Sequence, residues 1–318
     1  MAVSGEPMKA RLTDRPFSNP DWIFERKLDG IRAIVRRTPD GATLTSRTGR
    51  NMSSSYPELI EALEAEPATD FAADGEIVAF EGSRTSFERL QGRMGISDPR
   101  LARLTGIPVY LYLFDLLAFD GNDLTGLPLR ERKRALRRAL SFHGPVRYTP
   151  HRNEHGEELF RQACARGWEG LIAKRTSSTY VHGRSGDWLK LKCSLQQELV
   201  IGGYTPPQGS RKHFGALLVG YHENGELRYA GKVGTGFSEQ VLRSLGARLE
   251  ALRVDECPFS RDGLPRQAVW VEPRLVGEFA FSEWTRDGRL RHPRFLGLRD
   301  DKPAAEVVRE LPDAEPPS

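Results

Sequence analysis

The segment around Lys27 constrains the fold of this chain more than any other stretch. Apolar residues precede it at Trp22–Phe24 and follow it at Ala33–Val35. An Asp-Gly pair, here Asp29-Gly30, between two apolar runs is a strong signal for a hairpin turn. We therefore expect strands at about 22–28 and 31–37, with Lys27 at the end of the first strand.

A lysine in this position can have two quite different roles. In an ordinary hairpin its side chain would simply point into water. As a nucleophile it would need a lowered pKa, because at the usual value of about 10.4 less than ~0.1% of the amine is neutral at pH 7. Burial or nearby cations can lower that pKa. A nucleophilic Lys27 therefore requires further basic residues to converge on it from elsewhere in the chain.

Length and composition indicate which class of protein this chain belongs to. A length of 318 residues suggests two domains, and 38% hydrophobic with 28% charged residues is typical of a soluble globular chain. No apolar run approaches the ~18 residues of a membrane span. The three cysteines, Cys164, Cys193 and Cys257, are scattered, so we expect neither a disulfide framework nor a zinc site but small core residues in a reducing cytoplasm.

The net charge of +4 and the pI near 9.0 permit nucleic-acid binding without requiring it, because 43 acidic residues offset most of the 47 basic ones. The basic stretch Arg130–Arg138 is typical of a solvated helix face. Charge alone therefore does not identify the function.

The sequence pattern changes near residues 192–197. Before this point strands and helices are mixed, and Ser55–Glu58 forms a capping box that predicts a helix over 56–66. After it, short strands at about 197–204, 215–221, 227–233, 269–272 and 275–282 accompany one helix at 238–252, a pattern compatible with a small Greek-key barrel. From Pro303 onward the prolines predict a frayed tail. We expect domains at 1–194 and 195–318.

Six short motifs occur in a fixed order, and together they are more specific than any one alone. They are Lys27–Gly30, Asp74–Glu76, Tyr112–Asp115, Glu169–Lys174, Trp188–Lys192 and Arg299–Lys302. In this order and spacing the chain resembles the ATP-dependent DNA ligases, within the covalent nucleotidyltransferases. Through Gly231–Phe237 and Phe281–Gly288 it is most similar to the compact ligase module of bacterial end-joining ligases.

The resemblance implies a fold and a reaction. It implies an α+β chain, with a nucleotidyltransferase (ATP-grasp-like adenylation) domain followed by a small oligonucleotide-binding β-barrel. It also implies an enzyme that uses ATP to seal 3′-OH/5′-phosphate nicks in duplex DNA through a lysine–AMP intermediate. Phosphoryl transfers of this kind depend mainly on positioning and on neutralising phosphate charge.

By the same resemblance, Lys27 is the nucleophile. Lys190 and Lys192 would neutralise the α-phosphate and lower the pKa of Lys27. Glu76 and Glu169 would bind ribose hydroxyls or a Mg²⁺ ion, for which Mn²⁺ should substitute. The alternatives are two surface lysines on an edge strand and two exposed carboxylates in turns.

The remaining ATP-binding residues follow from the resemblance as well. Phe114 would stack on adenine, or else belong only to the core, and Glu25 would lie near the adenine edge. The arginines that match positions holding ribose or phosphates are Arg32, Arg47 and Arg184. Arg299 and Lys302 match a C-terminal motif that contacts pyrophosphate when the small domain closes, although a charged tail is the plain alternative.

Other functions and partners stay open at this point. An RNA ligase, a GTP-using capping-type enzyme or a non-catalytic nucleic-acid-binding relative would share much of the pattern. The resemblance implies a monomer in the cytoplasm, associated with the nucleoid, that acts on nicked DNA without a membrane. A Ku-like end-binding protein or separate end-processing enzymes would be its partners, and the sequence leaves replication backup, repair and end joining undecided.

Overall fold

In the computed structural model the chain divides into two compact units. The first runs to Cys193, and the second spans Ser194–Glu310. The structure describes residues 5–207, 209, 212–260, 263–265 and 267–312. Within these residues, no helix combines the length and the apolar character that a membrane crossing requires.

The first unit contains twelve strands and five α-helices in its described part. The strands are β1 (Lys9–Leu12), β2 (Asn19–Lys27), β3 (Ile31–Thr38), β4 (Gly41–Ser46), β5 (Phe71–Glu81), β6 (Arg84–Thr85), β7 (Val109–Phe119), β8 (Asn122–Asp123), β9 (Val146–Tyr148), β10 (His151–Glu154), β11 (Gly170–Arg175) and β12 (Arg184–Lys192). The helices are α1 (Pro57–Glu64), α2 (Phe87–Gln91), α3 (Pro99–Leu104), α4 (Leu129–Ala139) and α5 (Gly156–Ala165).

These strands form two sheets, each with its own core. One has the order β1-β12-β11-β2-β10, and the other has the order β4-β3-β5-β7-β8, with β6 added to β5 and β9 to β7. Alternation decides which face of a strand is buried. Strand β3, for example, buries Ile31, Ala33 and Val35, while Arg32 and Arg36 on its other face are only partly covered.

The connection at Gly30 is not the hairpin turn that the sequence predicts. Strand β2 pairs with β10 and β11, whereas β3 pairs with β4 and β5, so the two strands belong to different sheets. A Cβ atom on Gly30 would lie 2.2 Å from the Ile77 carbonyl oxygen. The glycine is therefore required by the close approach of β5 and not by a hairpin. The strands and the position of Lys27 at a strand end are as predicted, but the pairing is wrong.

The second unit is mainly antiparallel sheet with one α-helix among its described residues. Its elements are β13 (Leu195–Tyr204), β14 (Leu217–Glu223), β15 (Glu226–Val233), α6 (Glu239–Ala251), β16 (Arg253–Val254), β17 (Val269–Phe281), β18 (Glu283–Trp284), β19 (Leu290–Arg291) and β20 (Arg294–Leu298). The main sheet has the order β15-β14-β13-β17-β16, and β20 also pairs with β17. The two strands predicted at 269–272 and 275–282 are one continuous strand.

The segment after Pro303 is packed against the second unit rather than frayed. A short 3₁₀-helix spans Ala304–Glu306, and Val307 is fully buried. The backbone N–H of His222 donates to the Val307 carbonyl oxygen at 2.7 Å. This apolar anchor explains why the prediction of a frayed tail fails as far as residue 310. Pro316 and Pro317 lie outside the described residues.

Helix α1 begins without the predicted capping box. The helix starts at Pro57, and no side chain caps it. Ser55 Oγ donates instead to the Ile96 carbonyl oxygen at 2.8 Å, and Glu58 accepts two hydrogen bonds from Arg93 at 2.7 and 2.9 Å. Both side chains of the predicted box thus bind residues that are distant in sequence. The helix begins instead at Pro57, because proline is favourable at the first helical position.

Two of the three cysteines form a disulfide, contrary to the expectation from the sequence. Cys164, near the end of α5, is bonded to Cys193, the residue that follows β12. Cys257 is free and exposed. The 29-residue separation of the pair gave no recognisable motif. The contact exists only because the sheet and α5 bring the two residues together.

The disulfide should contribute measurably to stability. A cross-link that closes a loop of 29 residues restricts the unfolded chain by about 3–4 kcal/mol. We expect Cys164→Ser to lower the free energy of unfolding of the oxidised protein by about that amount in urea, and Cys257→Ser to leave it within about 0.5 kcal/mol. Reductant should lower the stability of the wild type to that of Cys164→Ser. A wild type that is insensitive to reductant would contradict the assignment.

Candidate active site

The pairing of β2 with β11 builds the centre of the site. In this antiparallel register Lys27 is opposite Gly170, and Glu25 is opposite Ile172. Because side chains alternate along a strand, Glu25 and Lys27 project from the same face of β2. Gly170 has φ +154°, and a Cβ atom there would lie 1.8 Å from the Leu191 carbonyl oxygen. Only glycine therefore allows β12 to pack this closely against β11.

Lys27 is ion-paired with Glu169. Its Nζ atom lies 2.5 Å from Glu169 Oε1. Burial acts to lower the pKa of Lys27, and the charge of Lys192 acts in the same direction, but attraction to Glu169 outweighs both and the pKa is raised. Lys192 therefore acts on this pKa in the predicted direction, but Glu169 makes the net shift upward. Glu169 holds Lys27 in its protonated, non-nucleophilic form.

A second buried ion pair lies two residues back on β2. Glu25 is 2% exposed, and its two carboxylate oxygens bind different lysines, Lys133 Nζ at 2.5 Å and Lys174 Nζ at 2.7 Å. Burial alone would raise the pKa of Glu25, but the two ammonium groups outweigh it and the pKa is lowered. Glu25 is therefore an ionised carboxylate enclosed by the protein.

Lys174 is shifted in the opposite direction from Lys27. Burial, helped by the charge of Lys133, lowers the pKa of Lys174 to about 8. Attraction to Glu25 opposes this shift but does not cancel it. Its ammonium group lies 4.1 Å from the ring centroid of Phe114 and 4.0 Å from that of Trp188. Cation–π contacts of this kind hold a desolvated ammonium in place.

These groups surround a cavity of about 130 Å³. Its lining residues are Ala10, Glu25, Arg26, Lys27, Leu28, Arg32, Glu76, Phe114, Thr149, Ile172, Lys174 and Trp188. Five of the residues predicted from the sequence are among them: Glu25, Lys27, Arg32, Glu76 and Phe114. The cavity is apolar at the aromatic rings and strongly charged around them, a combination typical of small-molecule sites.

Arg32 lies between the cavity and a buried polar network. It binds Asp74 through two nitrogens, each at 2.5 Å, and Asp74 also accepts a 2.6 Å hydrogen bond from the Tyr180 hydroxyl. The Arg32 guanidinium lies 4.7 Å from the ring centroid of Phe114. Phe114 thus lines the cavity and also belongs to a buried apolar cluster with Trp188, and its stacking on adenine stays a prediction.

Five other predicted residues of the first unit, Glu169 among them, do not line this cavity. Lys190 and Lys192 lie on β12, next to β11, and Lys192 is close enough to influence the pKa of Lys27. Arg184 is exposed at the start of β12, and Arg47 follows β4 with Nε and Nη2 buried and without a hydrogen-bond partner in the described residues. The structure therefore brings Lys192 to the site but not Arg47 or Arg184.

Arg299 and Lys302 belong to the second unit and are both paired with carboxylates. Arg299 lies 3.0 Å from Asp301 and within 4 Å of Glu198 and Glu278, and Lys302 pairs with Glu198. Burial acts to lower the pKa of Arg299, but the surrounding carboxylates raise it. These residues are therefore part of a buried charge network and not of a loose charged tail.

Sequence reasoning missed two lysines of the site. Lys174 ends the Glu169–Lys174 motif, but the motif gave it no role. Lys133 lies in the stretch Arg130–Arg138, which resembles a solvated helix face, yet Lys133 and Arg132 are almost fully buried. In α4 these two cations lie on the buried side of the helix together with Leu129 and Leu136, and that shared helix face is the signal that the sequence offered. Their partners, Glu25 and Asp115, are too far away in sequence to be inferred.

The described part of the chain contains no preformed metal centre. Nowhere in it do three His, Cys, Asp or Glu side chains come together as metal ligands. One feature nevertheless fits a divalent cation. Glu169 Oε2 is buried and has no hydrogen-bond partner among the residues described. A carboxylate oxygen of this kind is the ligand type that Mg²⁺ prefers.

Comparison with family models decides the family. The ATP dependent DNA ligase domain matches residues 7–192, and the ATP dependent DNA ligase C terminal region matches residues 210–302. The chain belongs to the ATP-dependent DNA ligases. Its two parts are the nucleotidyltransferase domain and the oligonucleotide-binding-fold region of this family, as the resemblance implied.

Curated relatives agree with this assignment. The chain is 38% identical over 320 residues to the multifunctional non-homologous end joining protein LigD of Pseudomonas aeruginosa, covering 98% of this chain and 37% of that protein. It is 31% identical to a DNA ligase of Thermococcus fumicolans, covering 95% of this chain and 57% of the relative. The chain thus spans little more than a third of the length of the LigD proteins that it matches.

A solved structure shows the same fold. The structure described as mycobacterial DNA ligase D complexed with ATP and MES is 35% identical, with a TM-score of 0.69 over 96% of this chain and 98% of that one.

The ion pair at Lys27 predicts a shift in the reactivity of this amine. In Glu169→Gln the attraction is lost while burial and Lys192 still act, so the pKa of Lys27 should fall. Labelling by acetic anhydride, followed by mass spectrometry without ATP or metal, should then reach half its maximum at a lower pH than in the wild type. Glu76→Gln, which removes a different carboxylate of the cavity, should leave that midpoint unchanged. An unchanged midpoint in Glu169→Gln would contradict the role of this ion pair.

Proposed function

We propose that this chain seals 3′-OH/5′-phosphate nicks in duplex DNA through an AMP group carried on Lys27. The observation that carries the proposal is the position of Lys27, which lines the charged cavity at the end of β2 within the matched ligase domain. A lysine at the edge of a cavity with acidic, basic and aromatic walls suits attack on a bound nucleotide.

In the first step Lys27 Nζ attacks the α-phosphorus of ATP. An N–P bond forms, the bond to pyrophosphate breaks, and the ammonium group must lose a proton before the attack. Lys192, and Lys190 beside it on β12, would offset negative charge on the phosphate oxygens. The pairing with Glu169 keeps Lys27 protonated until a nucleotide binds, which limits reaction of the free amine with other electrophiles.

Carboxylates near Lys27 would serve a divalent cation. Glu169, with its unpartnered Oε2, and Glu76, which lines the cavity, are the residues that would hold Mg²⁺ or Mn²⁺. Such an ion would supply charge neutralisation at the phosphate oxygens. Arg32, fixed at the cavity by Asp74 and the Met8 carbonyl oxygen, would hold the ribose or the phosphates. Arg47 and Arg184 would join it only in a nucleotide-bound arrangement.

The two later steps transfer AMP to DNA and seal the nick. The 5′-phosphate of the nick displaces Lys27 from AMP, and the 3′-hydroxyl then attacks the activated phosphate while AMP leaves. The second unit, with its oligonucleotide-binding fold, would bind the duplex. Contacts of this kind rest mainly on phosphates, so sealing should weaken as salt rises.

We propose end joining or another form of DNA repair as the setting. The LigD relatives are named for non-homologous end joining, and this chain corresponds to one part of their length. A Ku-like end-binding protein and separate end-processing enzymes would supply the remaining functions, with the protein acting on the nucleoid in the cytoplasm. An RNA ligase or a GTP-using capping activity would appear as preferential use of nicked RNA over nicked DNA, or of labelled GTP over labelled ATP, when these substrates are compared side by side.

A covalent adduct tests the proposed reaction. Incubation with labelled ATP and Mg²⁺ should leave one acid-labile AMP on the protein, mapped to Lys27, and Lys27→Ala should form none. Because the third step does not use this amine, Lys27→Ala should still seal nicks that already carry 5′-AMP. That residual activity is the control for folding. An adduct on Lys190, or one that persists in Lys27→Ala, would exclude the proposed nucleophile.

We further propose that Arg299 and Lys302 act on pyrophosphate, which leaves only in the first step. Arg299 is surrounded by three carboxylates, so its removal would leave buried negative charge unpaired and unfold the second unit. Lys302, with one carboxylate partner, is the cleaner position for a test.

Lys302→Gln should slow adenylation by about 10²–10³-fold, the usual cost of losing transition-state charge stabilisation, and should affect sealing of 5′-adenylated nicks much less. The neighbouring Arg248–Asp300 ion pair is exposed, so Arg248→Gln should leave both rates unchanged. Rapid-quench measurement of both reactions provides the comparison. Equal losses in the two reactions of Lys302→Gln would mean that the segment supports folding or DNA binding instead.

A further inference from the structure

Tyr180 lies in the loop 176–183 between β11 and β12, and backbone contacts hold this loop in place. The Tyr180 N–H donates to the Thr125 carbonyl oxygen at 2.8 Å. The Ser178 carbonyl oxygen accepts hydrogen bonds from the Leu129 N–H at 2.8 Å and from Arg132 Nη1 at 2.9 Å. The loop is therefore a fixed support for the residues that the buried Tyr180 side chain contacts.

The Tyr180 hydroxyl joins two other parts of the first unit. It donates to Asp74 Oδ2 of β5 at 2.6 Å and accepts a hydrogen bond from the Met8 backbone N–H at 3.1 Å. Asp74 and Met8 are both fully buried. Burial and the charge of Asp74 raise the pKa of this hydroxyl, so it stays a protonated donor at neutral pH.

Both partners of the hydroxyl hold Arg32. Arg32 Nε and Nη2 each donate to Asp74 at 2.5 Å, and Nη2 also donates to the Met8 carbonyl oxygen at 3.0 Å. Arg32 lines the cavity, whereas Tyr180 is not among its lining residues. Tyr180 therefore reaches a ligand in the cavity through Arg32 and not by direct contact.

The same contacts include the N-terminal segment in the site. The Val181 N–H donates to Met8 Sδ at 3.4 Å, and the Lys9 N–H donates to the Gly183 carbonyl oxygen at 2.6 Å. Ala10, two residues after Met8, lines the cavity. Loss of the Tyr180 hydroxyl would remove the acceptor of a buried backbone N–H, and a buried donor left in this way is costly.

We propose that Tyr180 is a positioning residue for nucleotide binding, which acts through Asp74 and Met8 to hold the Arg32 guanidinium in the orientation that meets ATP. This role rests on the proposed function, since it assumes that Arg32 contacts the ribose or the phosphates of the ATP that adenylates Lys27. Tyr180 lies outside the six ligase motifs, which gave it no role.

The expected effect is on the affinity for ATP. A guanidinium that is fixed before binding loses little conformational freedom when the ligand arrives. Without the hydroxyl, Arg32 would sample more orientations and would bind ATP less tightly. Because Arg32 would contact ATP both before and during the transfer, the rate at saturating ATP should change much less than the affinity.

Tyr180→Phe removes the hydroxyl and keeps the ring. Single-turnover formation of the Lys27 adduct, measured by rapid quench over a range of ATP concentrations, separates the apparent Kd of ATP from the rate at saturation. We expect the apparent Kd to rise about tenfold, the effect of one hydrogen bond to a charged group, and the saturating rate to change less than about threefold. Tyr56→Phe, at a fully buried tyrosine of a different apolar cluster, is the matched control and should change neither value.

A double variant shows whether Tyr180 acts through Arg32. Arg32→Lys keeps a cation beside Asp74 but loses the two-nitrogen contact. Adding Tyr180→Phe to Arg32→Lys should then raise the apparent Kd by less than about twofold, because the interaction that Tyr180 supports is already lost. A merely structural role would lower the fraction of active enzyme without changing the Kd, or would weaken binding equally in both backgrounds.

Two results overturn the proposal. One is an apparent Kd of Tyr180→Phe within about twofold of the wild-type value, and the other is a full tenfold loss on top of Arg32→Lys. If Tyr180→Phe does not fold, as judged by circular dichroism, the wild type decides. The analogue α,β-methylene-ATP, which cannot release pyrophosphate, should slow deuterium exchange of the Met8 amide in NMR spectra, and unchanged exchange would contradict the link between Met8 and the site.

These outcomes separate the role of Tyr180 from the proposed function. Absence of any Lys27 adduct with ATP in the wild type would remove the ligase reaction itself. Normal adduct formation in the wild type, together with an unchanged Kd in Tyr180→Phe, would leave that reaction intact and remove only the role of Tyr180.

Discussion

The antiparallel pairing of β2 with β11 is the constraint on which the site depends. It aligns two lysine–carboxylate ion pairs. In one, β2 supplies the lysine, Lys27, to Glu169 beside β11; in the other, β2 supplies the carboxylate, Glu25, to Lys174 of β11. A register shift of one residue would turn both members on β2 to the other face of the sheet. The close packing at Gly170 fixes β11 against β12, because the Leu191 carbonyl oxygen leaves no room for a side chain there.

The two lysines show how burial and a single carboxylate can produce opposite results. Burial acts to lower the pKa of both. At Lys27 the attraction of Glu169 prevails, whereas at Lys174 burial and the neighbouring charge of Lys133 prevail over Glu25, which is shared between two cations. Lys27 is thus held protonated by its ion pair. Lys174, at the wall of the cavity, instead has a pKa that burial lowers to about 8.

Local sequence signals predicted what depends on local structure. Periodicity predicted the strand that ends at Lys27, the mixed first unit and the strand-rich second unit. The family resemblance pointed to Glu25, Arg32, Glu76 and Phe114, which the structure places at one cavity. The failures share a physical cause. The hairpin at Gly30, the capping box at Ser55 and the free state of Cys164 were each replaced by contacts with residues far away in sequence. The burial of Lys133 has the same origin, since only the fold brings Glu25 to it.

The central claim is that one β2–β11 register gives Lys27 and Lys174 opposite pKa shifts. The most direct measurement is NMR titration of protein with ¹³C-labelled lysine side chains, without nucleotide, using Lys27→Met and Lys174→Met to assign the two signals. The account predicts that Lys174 titrates near pH 8 while Lys27 titrates above the usual pKa of a lysine. If Lys27 titrates below Lys174, or both titrate near the value of a free lysine, the account is contradicted.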